Sequence, residues 1–110
     1  MRGVTEDAAT ALLRALCFHF VHFDGTFRVD ELSSRGWASV TFSGARHRIA
    51  FSLTGAGAGA AADAFLDGVG EAEFDLRGHI LADIAVVGEE RDGAGDRVQI
   101  RLDALTVEDD

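Results

Sequence analysis

Residues 78–107 read GHILADIAVVGEERDGAGDRVQIRLDALTV, two stretches of apolar and polar alternation separated by Asp92, Gly93 and Gly95. Few folds satisfy that pattern. A period of two places successive side chains on opposite faces of an extended strand, and Asp-Gly between two such runs is a strong short-range hairpin signal. The segment is expected to be an antiparallel hairpin and the spine of a sheet. Its register follows if one face must collect the apolar residues. Setting Ile84 across from Ala104 and Val86 across from Leu102 gathers Ile80, Ala82, Ile84, Val86, Val98, Ile100 and Leu102 on a face to be buried under helices. The other face then carries His79, Asp83, Gln99, Arg101 and Asp103 among Leu81, Ala85, Val87, Leu105 and Val107, with Asp83 a diagonal neighbour of Asp103.

The rest of the chain must supply those helices. Thr5 can cap a helix over residues 6–21 whose first turn holds Glu6 and Asp7, favourable at the positive end of the helix dipole. Ala9, Leu12, Leu13, Leu16, Phe20 and Phe23 fall at the helical period. The end of this stretch, CFHFVHF, also alternates with period two, and Asp24-Gly25 stops it. A short strand is expected over 27–31, a loop at Ser33-Ser34-Arg35-Gly36, then strands over 37–43 and 47–53 around a turn at Ser43-Gly44-Ala45. A second helix is expected over 60–69, with Ala61, Ala62, Phe65, Leu66 and Val69 on one face, and a short strand over 72–76. Each half, 6–53 and 60–107, thus runs helix, short strand, hairpin, a possible αβββ pseudo-duplication. The expected fold is α+β, a single domain over 1–110: a two-layer sandwich with an antiparallel sheet of five or six strands and two helices on one face.

Composition narrows the partners. At 110 residues the chain is long enough for one core. Its net charge of −9 opposes binding to phosphate backbones, so no nucleic acid is expected. The longest uncharged run, 49–62, is too short to cross a bilayer, so no membrane is expected either. Arg14 and His19 interrupt the early apolar stretch, so no secretory core is expected, and with Cys17 as the single cysteine no internal disulfide can form. A cytoplasmic protein is the expectation. All ten basic residues are arginine, and lysine, asparagine and tyrosine are absent, a bias that follows GC-rich codons and points to a bacterial genome.

Four groups of residues invite chemistry. Gly55, Gly57 and Ala60 satisfy G-x-G-x-x-G/A between a strand and a helix, with Glu73 or Asp75 about 20 residues on; the hairpins on both sides oppose a parallel βαβ unit, so no cofactor is expected. His19 and His22 are weak metal candidates beside Cys17 and Asp24, lacking a third and fourth ligand at recognisable spacing. Arg46, His47 and Arg48 could hold a carboxylate or phosphate, or simply charge a hairpin end. Finally, the outer face of the main hairpin offers His79, Asp83, Arg101 and Asp103, with Trp37 near, as a polar ligand or acid–base site on a partly apolar floor. The same face, apolar at Leu81, Ala85, Val87, Leu105 and Val107, would serve a homodimer. The expectation is a non-enzymatic interaction module that self-associates through its sheet face. The alternative is a small enzyme or ligand-binding protein using the polar site.

Overall fold

A computed structural model describes residues 7–71, 74, 76, 78–94 and 96–108. The chain runs α1 (Ala8–His19), β1 (Thr26–Ala38), β2 (Ser43–Thr54), α2 (Ala58–Gly68), a 3-10 turn (Val69–Glu71), β3 (His79–Arg91) and β4 (Arg97–Glu108). All pairings are antiparallel, in the order β1-β2-β4-β3. Each half is therefore a helix followed by a hairpin. The second strands of the two halves pair at the centre, and the first strands become the two edges.

Local chemistry explains where the helices begin and end. Asp7 caps α1, its carboxylate accepting the Thr10 backbone N–H at 2.8 Å, and this hydrogen bond holds the Asp7 pKa below its ordinary value. The expected cap, Thr5, and Glu6 lie outside the described residues. Leu12, Leu16 and Phe20 recur every fourth position and are buried. The ambiguous CFHFVHF stretch is helical only as far as His19 and then turns. The helix thus ends five residues before Asp24-Gly25, and at Gly25 the chain passes so close to β2 that a Cβ there would lie 2.2 Å from the Thr54 carbonyl oxygen. α2 starts at Ala58, two residues before its expected start, because Gly57 takes the left-handed conformation (φ 85°) at its N-cap.

Both helices face one side of the sheet. Ile49, Phe51 and Leu53 of β2 and Val98, Ile100 and Leu102 of β4 are fully buried against Leu12, Leu16, Ala58, Ala62 and Phe65. Phe20, Phe27, Phe51 and Phe65 form an aromatic cluster with ring centroids 5.2–5.6 Å apart. Such pairs add about 0.5–1.5 kcal/mol each beyond the area they bury.

Among the described residues the expectation of five or six strands is corrected to four. β1 runs unbroken through Ser33-Ser34-Arg35-Gly36, where a loop was expected, because each of these residues pairs with one of Ala45 to Arg48 on β2. Ladder pairing overrides the turn propensity of Ser and Gly. Phe74 and Leu76 belong to no strand, while Ala72, Glu73, Asp75 and Arg77 lie outside the described residues. In the main hairpin Ile84 pairs with Ala104 and Val86 with Leu102, as the pattern requires. Register shifts at Ala82 and Val87 alter its ends. Leu81, opposite Thr106, is brought to the helix-covered face, and Ile80, opposite Val107, goes to the open one, where it is 51% exposed.

Candidate functional site

The open face of the sheet can be read as rows across the four strands. One row is Trp37, Gly44, Val107 and Ile80; the next is Arg35, Arg46, Leu105 and Asp83; the third is Ser33, Arg48, Asp103 and Ala85; the fourth is Glu31, Ala50, Arg101 and Gly88. The second and third rows, Ala85 excepted, line a depression of about 440 Å³. Including Arg28 and Arg97, six of the chain's ten arginines sit on this face. In a chain of net charge −9, that segregation is itself a feature.

The charges in the depression are unequally matched. Arg48 Nε lies 3.6 Å from Asp103 Oδ1, an ion pair too long for a hydrogen bond. Arg35 and Arg46 stand directly opposite each other on neighbouring strands, and neither pairs with a carboxylate among the described residues. Like charges directly across a ladder are destabilising by roughly 0.2–1 kcal/mol. The nearest uncommitted acid in their row is Asp83, two strands from Arg46. At about 4.8 Å per strand that is roughly 10 Å, where salt screens the attraction. The Trp37 indole N–H adds a second unmet demand, being buried without an acceptor among the described residues.

Of the residues expected to form a site, the structure brings Asp83 and Asp103 into the depression, as diagonal neighbours. Arg101 lies two rows away from Asp83, its stem over Gly88. Trp37 flanks the depression on the same face. His79 does not join them: opposite Glu108, it lies on the helix-covered face. The basic cluster splits by strand alternation, with Arg46 and Arg48 outward and His47 inward and buried. Arg35 was missed because its segment read as a loop. The signal that would have found it is the alternation of Glu31, Ser33, Arg35 and Trp37.

His47 forms a second polar group on the covered face. The Thr106 hydroxyl donates to the Ala45 carbonyl and accepts from His47 Nε2–H at 2.9 Å, so Nδ1 accepts from the Ser34 hydroxyl at 2.7 Å. Burial, then the neighbouring His79, pushes the His47 pKa down, against a smaller pull from Asp7. On the open face, Asp30 at the β1 bulge accepts from the Ser52 hydroxyl and from Gln99 Nε2 at 3.0 Å. Burial alone would raise its pKa, but these bonds and one from Arg28 outweigh it and leave the pKa lowered.

The other groups come together less. His19 and His22 border a depression of about 350 Å³ with Asp24, and the His19 ring packs edge-on to Phe65 at 5.1 Å. Among the described residues no three His, Cys, Asp or Glu side chains group to hold a metal. Cys17 is exposed. Gly55 and Gly57 lie between an antiparallel strand and α2, so the βαβ context of a dinucleotide site is missing. Among the described residues no helix is long and apolar enough to cross a membrane. Comparison with protein-family models, curated proteins and solved structures found no match for this chain.

Proposed function

We propose that the chain is an interaction module whose working surface is the open sheet face, and that Arg35 and Arg46 recognise an anionic group, a carboxylate or a phosphate. The observation that carries this is the cross-strand arginine pair without a carboxylate among the described residues. Nineteen acidic residues were available to neutralise it. Two planar guanidinium forks side by side can offer bidentate donors to one anion, which removes their mutual repulsion as it binds. Asp83 and Asp103 border the same depression and disfavour a ligand that is anionic throughout. The occupant is therefore expected to carry its negative charge on the β1–β2 side and a neutral or cationic group on the β3–β4 side.

The test is a titration with phosphoethanolamine, anionic at one end and cationic at the other, followed by the arginine side-chain N–H signals. Saturable shifts at Arg35 and Arg46 that vanish in Arg46→Ala support the reading; shifts shared evenly by all exposed arginines remove it. Self-association is a second reading, favoured by the apolar row at the end of this face, where Ile80 is 51% exposed beside Val107 and Trp37.

A further inference from the structure

The two edges of the sheet are finished differently. β3 is broken by register shifts at Ala82 and Val87, and Arg91 near its end is tied to Asp63 of α2 at 2.6 Å. Bulges of this kind protect an edge from pairing with another chain. On β1 the single shift is at Asp30, and the ladder then runs without interruption from Glu31 to Ala38. That stretch has no proline, no lysine and no bulge, and its far side pairs with no strand among the described residues.

Resting on the arginine-pair reading above, we infer that a second copy of this chain supplies a carboxylate to the Arg35 half of the pair, by pairing β1 antiparallel to β1 about a two-fold axis at Ser33. Such an axis, normal to the sheet, keeps each face continuous across the junction, so only registers that match residues of like parity are allowed. Centring on Glu31 or on Arg35 would set like charges opposite each other. Centring on Leu32 or Ser34 would leave both charges facing uncharged residues. Centring on Ser33 alone sets Glu31 opposite the second copy's Arg35 twice over, on the open face. Neither residue has an ion-pair partner within its own chain among the described residues. On the covered face the same register makes the two Leu32 side chains diagonal neighbours, and Leu32 is 38% exposed in one copy. The product is a continuous eight-stranded sheet in which each Arg35 meets a carboxylate and each Arg46 is relieved of an unshielded neighbour.

The register makes a sharp test. Ser33→Cys, placed in Cys17→Ser protein to remove the exposed native thiol, would face its own copy across the axis. Directly opposed residues in an antiparallel pair have Cα atoms about 4.5–5.5 Å apart, within disulfide range. Under mild oxidation at micromolar concentration this variant is expected to form a covalent dimer at least tenfold faster than Ser39→Cys, whose position at the hairpin tip lies far from the axis. By sedimentation the native chain is expected to be dimeric, Glu31→Arg monomeric, and Glu31→Arg combined with Arg35→Glu dimeric again. A native monomer at several hundred micromolar, equal cross-linking at the two positions, or failure of the charge reversal to restore the dimer would overturn the pairing. Anion-dependent shifts at Arg46 in a strictly monomeric chain would leave the arginine-pair reading standing and remove only the edge dimer. A dimer cross-linked through position 33, with no anion response at Arg46 in the monomeric Glu31→Arg chain, would do the reverse.

Discussion

The two faces of the sheet are made by the same four strands and meet opposite demands. On the covered face β2 and β4 contribute six fully buried apolar side chains, with the His47, Ser34 and fully buried Thr106 hydroxyl–imidazole chain at one end. On the open face the same strands alternate to Arg46, Arg48, Arg101 and Asp103. Apolar burial stabilises the first without regard to orientation. The second gains little from its charges in water, and one row of it stores repulsion. A surface that costs stability in the free chain is the kind of surface that a partner completes.

The largest expected contrast is between Phe51→Ala and Arg48→Ala. The first empties the centre of the aromatic cluster and should cost about 3–5 kcal/mol in urea denaturation, whereas the second should stay within about 0.5 kcal/mol. Equal losses would break the distinction between the faces. Next come two glycines of the open face. A Cβ at Gly44 would lie 1.9 Å from the Thr106 carbonyl oxygen and 3.0 Å from the Trp37 ring, so Gly44→Ala should cost about 1–3 kcal/mol. At Gly88 the nearest atom is 3.4 Å away on the flexible Arg101 stem, and Gly88→Ala should be nearly neutral.

The covered face should also be the more sensitive to mild acid. With its pKa depressed in the folded state, His47 stays neutral there while the unfolded chain takes up a proton, so stability falls as pH drops from 6.5 through the folded pKa. Asp30, also depressed, contributes stability that is present above pH 3.8 and lost as pH falls below it. Denaturation midpoints across pH should therefore decline in two stages, and His47→Gln should remove the upper one. The smallest effect has the opposite sign. Arg46→Ala should raise stability by about 0.2–1 kcal/mol at low salt and by less at high salt, since it removes the repulsion from Arg35.

Much of this contrast was legible in the sequence, and the parts that were not have physical reasons. The register of the main hairpin followed from alternation alone, because burying one face leaves a single pairing of Ile84 and Val86 with their partners. The bulges at Ala82 and Val87 leave no such mark, and the one at Ala82 sent His79 and Leu81 to the face opposite the expected one. β1 was obscured by Ser33-Ser34-Arg35-Gly36, residues that favour turns in isolation and extend here because β2 pairs with each of them. That one misreading hid Arg35, and with it the arginine pair. Arg46 and Arg48 were recognised as a cluster with His47, but only alternation on a known strand separates the two outward arginines from the buried histidine between them.

The central claim, that Arg35 and Arg46 together await an anion, is tested most directly by following the arginine side-chain N–H resonances while the monomeric Glu31→Arg chain is titrated with phosphoethanolamine, anionic at one end and cationic at the other. Saturable shifts confined to Arg35 and Arg46, with Arg28 and Arg97 on the same face unmoved, are the predicted result. A response of equal size at all four arginines, or none at any of them, would contradict it.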